Sequence, residues 1–432
     1  ALCGNTTGNF NTAIGLGALK ESLSGDHNFA AGECALHSNW GGCHNAALGS
    51  GALKCNTTGN FNTAIGPASL NKNTTGCYNN AIGGYALESN TTGESNTALG
   101  YASLYKNTTG ARNNALGGSA LRTNTTGSDN NVFGRESMYY AISGCDNNAL
   151  GQYTLANNYG GCHNNAIGNS ALCSNTTASF NTAIGCKALK SNTTGCYNTA
   201  IGKVALCSNT VGNYNLALGN WTLDKNTSGG YNTAIGQNAL TNNTSGVNNT
   251  AIGNTALRNN TTGCYNIALG TNALCGSLSG CHNFAAGHCA LCSNWGGCDN
   301  TAIGCKALLN NTTGDFNIGI GKLALCCNTT GTYNNAIGRH ALRCNTTGVQ
   351  NNAIGFGALE KNESGTGNVA IGSSTLQSNT DGGYNHAIGC YGLNKNTTGE
   401  YNNAMGYAAL YSNTTGDHNN AIGEGALYIN TE

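Results

Sequence analysis

The sequence predicts an all-β fold, a β-solenoid with one 17-residue unit per coil and 25 coils. Three observations predict it. Asn recurs at 5, 39, 56, 73 and 90, and onward to 430, in steps of 17 or multiples of 17, with no insertion or deletion. A fixed short period marks a solenoid or array, and 17 residues are too few for the two helices of a helical repeat. Two columns never vary: with that Asn as position 1, position 7 is Asn in every copy (Asn11 to Asn419) and position 11 is Gly in every copy (Gly15 to Gly423). Finally, most units open on N-T-T-G, in which Asn and Thr bond local backbone and Gly supplies a left-handed residue.

The elements of one coil follow in order. Position 4 is Gly except for Ala178, so positions 4 and 11 mark two glycine corners. Between them, positions 5–10 predict one strand and 13–16 a shorter one. Position 9 is Ala except for Val132 and Gly319, and position 15 is Leu except for Met138. Ile or Leu at position 10 and Leu at 15 are expected to fill a thin core. The position-7 asparagines, among them Asn11, Asn28, Asn45, Asn62, Asn79, Asn198 and Asn402, are expected to stack as an amide ladder at about 4.8 Å per coil. Each amide then donates to and accepts from its copies without water. Alternation puts positions 7, 9 and 11 on one face and 6, 8 and 10 on the other. Both faces are chemically restricted, so one is expected to line the coil and the other to pack on a copy of the chain, as a homo-oligomer or filament.

Composition narrows the function classes. Gly is 65 of 432 residues, Pro occurs once (Pro67), and only 8% of residues are charged. Such a composition suits disorder, but disorder does not hold a register through 25 copies. With 18 basic and 18 acidic residues there is no basic excess for nucleic acid. No apolar run reaches the ~18 residues of a membrane span. The whole of 1–432 reads as one continuous domain, 25 units from Asn5 with partial units at both ends, expected to be a piece of something longer or to dock end to end. Arg135–Ile142 is a locally altered coil, with Met138 for Leu and Ala141 for Asn.

Few residues offer chemistry. His27, His44, His163, His282 and His418 all occupy position 6, which elsewhere holds Tyr or Phe, so they are expected as rings in a surface ladder. Cys281–Cys292 (C-H-N-F-A-A-G-H-C-A-L-C) has zinc-like spacing, but each residue fills an ordinary slot of the repeat. There are no paired carboxylates, nucleophile elbow, phosphate loop or calcium nonapeptide. The expectation is no enzyme, no cofactor and no metal. The sequence N-x-S/T occurs at position 1 in 17 units: Asn5, Asn56, Asn73, Asn90, Asn107, Asn124, Asn175, Asn192, Asn226, Asn243, Asn260, Asn311, Asn328, Asn345, Asn362, Asn396 and Asn413. Each is a candidate glycosylation acceptor, although turn chemistry alone accounts for the repetition.

The chain holds 22 Cys, a count that points to an oxidising compartment and disulfide staples. Four units carry Cys at both positions 5 and 16: Cys162/Cys173, Cys196/Cys207, Cys264/Cys275 and Cys281/Cys292. Those positions are equidistant from a fold at 10–11, so strands pairing within a coil would bring them opposite one another. Cys34/Cys43 and Cys289/Cys298 are symmetric about the other corner. The expectation is intrachain disulfides at these six pairs.

The run N-T-A-I-G-x-x-A-L-x-x-N-T-T-G-x-x-N-T-A-I-G resembles the repeats of bacterial and phage tail-fibre-domain proteins and the head repeats of trimeric autotransporter adhesins. The resemblance covers essentially the whole chain and implies an elongated β-roll or β-solenoid that presents a surface or adheres to one. The function expected is a structural extracellular fibre or filament assembling with copies of itself, located outside the cell or on a cell or virion surface. The alternative is an adhesin or tail-fibre-like module that holds glycan on the position-6 aromatic ladder.

Overall fold

The structure, a computed structural model, describes residues 1–431, and none of them is helical. It divides into two compact units, Ala1–Asn215 and Leu216–Glu432. The first carries twelve strands, β1 (Thr12–Ile14) to β12 (Thr199–Ile201), and the second thirteen, β13 (Leu216–Leu218) to β25 (Asn420–Ile422). Within each unit successive strands pair in parallel at an offset of one repeat: Thr182↔Thr199 and Ala183↔Ala200 in the first, Thr233↔Thr250 and Ala234↔Ala251 in the second. Position-6 rings of adjacent coils sit 4.8 to 5.2 Å apart, one strand spacing. One unit of sequence is therefore one coil, and the predicted β-solenoid is the fold.

The interior of the coil differs from expectation. Each strand is only three residues, positions 8–10, and positions 13–16 are turn. Backbone hydrogen bonds run from coil to coil even there: the Leu53 amide donates to Ser69 and the Leu70 amide to Ala86, both at 2.9 Å. No second strand folds back inside the coil. The chain curves instead through left-handed residues at positions 6, 13 and 15, including Tyr78 (φ 60°), Tyr85 (φ 58°) and Leu87 (φ 51°). Such a conformation costs an L-residue about 1 kcal/mol or more, offset here by bonds to the coils above and below.

The two glycine columns answer different demands. Gly100, at position 11, has φ +131°, and a Cβ there would lie 2.7 Å from the Gly117 carbonyl oxygen of the next coil. Gly59, at position 4, has no positive φ, but its Cβ would meet the Gly76 oxygen at 2.4 Å. The position-4 corner is thus set by crowding.

The core is thinner than predicted. Away from the first and last coils, Leu at 15, Ala at 9 and Ala, Ser or Thr at 14 are buried, as at Leu53, Ala64 and Ser69. Ile and Leu at position 10 are not: Ile65 is 39% and Leu150 49% exposed. On a three-residue strand the middle residue faces in and its two neighbours face out. Ala at 9 points at Leu 15, and the lumen has no room for a second large side chain. The altered coil obeys the same volume rule, since Val132 at position 9 is matched by Met138, slim and unbranched, at position 15.

Candidate functional site: the repeating columns

Two columns of buried asparagine run inside the coils. At position 7, Asn96 Nδ2 donates to Asn79 Oδ1 (3.1 Å) and to the Gly110 carbonyl (2.9 Å). Its own Oδ1 accepts from the Asn113 amide (3.0 Å) and from Asn113 Nδ2 (3.1 Å). Both donors and both acceptor sites of the side chain are used, which is why no other residue occupies this column. The same pattern holds at Asn28, Asn45, Asn62, Asn79 and Asn198, and Asn402 donates to Asn385 Oδ1 (3.1 Å). Asn11, only half-buried, begins it, accepting from Asn28.

A second ladder, at position 1, is where the glycosylation candidates lie. Asn107 Nδ2 donates to Asn90 Oδ1 and to the Gly110 carbonyl, both at 2.8 Å. Apart from half-buried Asn5, every one of the 17 sequon asparagines is fully buried. In each regular coil both hydrogens of the nitrogen that would carry a glycan are in use, so these asparagines are structural members of the folded coil. The ladder breaks where the sequence departs from Asn. Ala141 leaves Asn124 Oδ1 without a partner, and Ser277 leaves both Asn260 Oδ1 and its own Oγ without one; Ser22 Oγ is likewise unpartnered. Crowding also registers here: beside Ala178 the Asn192–Asn175 rung stretches to 3.2 Å, against 2.7 Å for Asn175–Asn158.

Position 6 forms the expected surface ladder. Phe10, His27, His44, Phe61 and Tyr78 stack in unbroken succession at 4.8 to 5.2 Å, with rings within 10° of parallel. His163 stacks on Phe180, His282 on Tyr265 and His418 on Tyr401. Within a run, neighbours cover both ring faces, while the rings at its ends, Phe10 and Tyr78, are stacked on one side only. Where the rings stop, charge takes over: Arg112 Nε and Nη2 donate to the two Asp129 carboxylate oxygens at 2.7 and 2.8 Å. The hydrogen bond from Arg112 holds the Asp129 carboxyl below the usual carboxylate range.

Positions 8 and 10 make the outer face of each strand. Ile, Leu, Met and Phe at 10 form an apolar ribbon along each unit, with Thr, Asn or Ile beside them at 8. Apolar depressions open on it around Phe133, Leu150 and Ile167 in the first unit and around Ile388, Met405 and Ile422 in the second. Sequence reasoning placed this column in the core. Its tolerance of Ala31, Phe133 and Met405 was the available sign of a surface, because a packed interior resists such changes of volume.

The cysteines line up along columns, as free thiols. At the expected pairs Cys162/Cys173, Cys196/Cys207, Cys264/Cys275, Cys281/Cys292, Cys34/Cys43 and Cys289/Cys298, at least one thiol is free in this structure (Cys162, Cys196, Cys264, Cys281, Cys34 and Cys298), as are Cys145, Cys275 and Cys292. With no strand folding back inside the coil, nothing brings positions 5 and 16 together, so Cys196 and Cys207 stay in separate columns. Cys43 is engaged with its neighbouring coils and not with Cys34: its Sγ accepts from the Asp26 amide (3.3 Å) and its amide donates to Asn60 Oδ1 (2.7 Å). Sulfurs meet along columns instead: Cys145 and Cys162, both at position 5, lie 2.7 Å apart, and Cys275 and Cys292, both at position 16, lie 3.6 Å apart. Position 5 has its own logic, as a short acceptor for the position-5 amide of the preceding coil. Asp26 Oδ1, Asn60 Oδ1, Ser128 Oγ and Cys281 Sγ all serve there. This explains much of its cysteine content.

Among the described residues no group of three or more His, Cys, Asp or Glu is placed to hold a metal ion, and no helix is long and apolar enough to cross a membrane. Neither a protein-family model nor a curated protein matches the chain. Fold and columns together define a class, a β-solenoid repeat protein of regular 17-residue coils.

Proposed function

We propose that the chain is a structural, non-catalytic fibre or filament protein that assembles with copies of itself through the outward ribbon of positions 8 and 10. The observation that carries this reading is the repetition of exposed Ile and Leu at position 10, coil after coil in each unit. Contiguous exposed apolar surface of this kind marks an interaction site. A second copy is the fitting occupant: its ribbon has the same spacing per coil, and a net charge of zero opposes no approach. An extracellular, cell-surface or virion-surface location fits the resemblance to tail-fibre and autotransporter-head repeats. The glycan-binding alternative is less well supported, because stacking covers the ring faces that would lie against a sugar.

Sedimentation of the chain at micromolar concentration, with electron microscopy, tests the reading. Oligomers or filaments are expected, and Ile65→Lys with Ile388→Lys should dissociate them while the far-ultraviolet dichroism stays unchanged. A monodisperse monomer would overturn the assembly proposal.

A further inference from the structure

We propose that axial disulfides between adjacent coils replace asparagine rungs missing from the position-1 ladder, with Cys275–Cys292 and Cys145–Cys162 as the bridges. The inference concerns bonds inside one chain and stands whether or not copies assemble.

Placement is the first argument. Ser277 breaks the ladder between the coils that begin at Asn260 and Ser277, leaving Asn260 Oδ1 and Ser277 Oγ without partners. Cys275 belongs to the first of those coils and Cys292 to the second. Ala141 likewise offers no oxygen to Asn158, whose Nδ2 donates to the Gly161 carbonyl. Cys145 and Cys162 sit across that junction. Not every gap is matched, since no two cysteines at the same repeat position span the break at Ser22.

Geometry is the second. Residues one repeat apart are separated by about one strand spacing, ~4.8 Å, inside the ~4.4–6.8 Å that disulfide Cα atoms require. The Cys145–Cys162 sulfurs, at 2.7 Å, need only a small adjustment to bond, and the Cys275–Cys292 sulfurs, at 3.6 Å, a rotation about χ1. Cys275 is also chemically prepared. With Cys292 as the donor in their shared contact, and with Arg258 adding positive potential against the opposing effect of burial, its pKa comes down to about 7. The lowered pKa raises the share of nucleophilic thiolate at Cys275 near neutral pH.

The chemistry is thiol–disulfide exchange with a small oxidised thiol such as glutathione disulfide. The Cys275 thiolate attacks one sulfur of the oxidant, the oxidant's S–S bond breaks, and one glutathione leaves as thiolate and takes up a proton. Cys292 then loses its proton and attacks Cys275 Sγ, and the second glutathione departs. Two protein thiols are oxidised and one disulfide is reduced to two thiols.

The test uses the full chain with glutathione disulfide, free thiols blocked by iodoacetamide, and non-reducing chymotryptic peptide mapping. Cleavage at Phe284 separates Cys275 from Cys292. Peptides linked Cys275–Cys292 and Cys145–Cys162 are expected, the first lost in Cys275→Ser. Reduction should raise amide exchange in the coil Ser277–Ser293 at least tenfold in the wild type. Ser277→Asn, which restores the rung, should remove most of that sensitivity. Same-coil links such as Cys264–Cys275, thiols that stay free in excess oxidant, or exchange rates indifferent to reduction would overturn the proposal.

Discussion

Replacing Asn96 by Ala isolates what the inner ladder is worth. The substitution removes four side-chain hydrogen bonds. Asn79 Oδ1 keeps the backbone amide of residue 96, at 3.0 Å. Two groups are left without a partner, the Asn113 amide and one Asn113 Nδ2 hydrogen; the Gly110 carbonyl keeps Asn107 Nδ2 at 2.8 Å. Asn113 is fully buried, so water cannot readily substitute. At about 1–3 kcal/mol for each of these two buried groups, the loss should reach about 2–6 kcal/mol, at the upper end of the usual range for a point change or beyond it. Asn148→Ala is the control. Its amide also donates to one neighbour and accepts from another, at 2.8 and 3.0 Å, but on the exposed outer face. Its loss should be under about 0.5 kcal/mol. Asn96→Asp adds a sign. A carboxylate there faces two acceptors, so its pKa rises above the ~3.9 of the unfolded chain. The penalty should be smallest below that value and grow as pH rises towards the folded pKa. Thermal unfolding combined with amide exchange of the flanking coils reads these effects, since damage in a solenoid is local. If Asn96→Ala cost no more than Asn148→Ala, the ladder would not be the element that holds the coils.

Ala141→Asn should restore a rung to Asn124 Oδ1 and raise stability by about 1–2 kcal/mol, seen as slower exchange in the two coils it joins. Gly100→Ala should cost about 3 kcal/mol or more, from both its φ of +131° and the Gly117 oxygen at 2.7 Å, whereas Gly118→Ala, with nothing within 4 Å, should be neutral in the same melt. Expression through a secretory pathway should leave the 16 buried sequons unmodified, shown by an intact mass that glycosidase does not change. The Arg112–Asp129 pair should add stability only above the ordinary carboxylate pKa and lose it as pH falls through the depressed value, an effect small in a salt-screened melt because both groups are exposed.

The period, the two invariant columns and the amide ladder were legible in the sequence because each is a one-dimensional signal. A register that never slips fixes the coil length, and an Asn that never varies must spend its whole hydrogen-bonding capacity on its own copies. The direction in which position 10 points was not legible that way. Hydrophobicity alone cannot tell an inward Ile from an outward one on a three-residue strand, and the residue that decides is Ala at 9. A constant small side chain there means that something presses against it, and Leu at 15 does so from a left-handed turn that propensity would not have chosen.

The same misplacement accounts for the cysteines. Same-coil bridges needed two strands folded against each other, as in a hairpin, and the even spacing of positions 5 and 16 about Gly at 11 made that plausible. A solenoid coil this small closes without internal pairing. Most of its backbone hydrogen bonds, and its ring stacks, amide rungs and position-5 acceptor contacts, run to the neighbouring coils. Contact in such a fold is set by identity of position and only weakly by proximity in sequence. Cys275 is therefore nearer in function to Cys292, one repeat away, than to Cys264 in its own coil. The same rule lets a substitution at one position be tolerated or penalised by the residues one repeat above and below it. Ala141 and Ser277 are informative for that reason: each defect is felt one coil away, at Asn124 and Asn260.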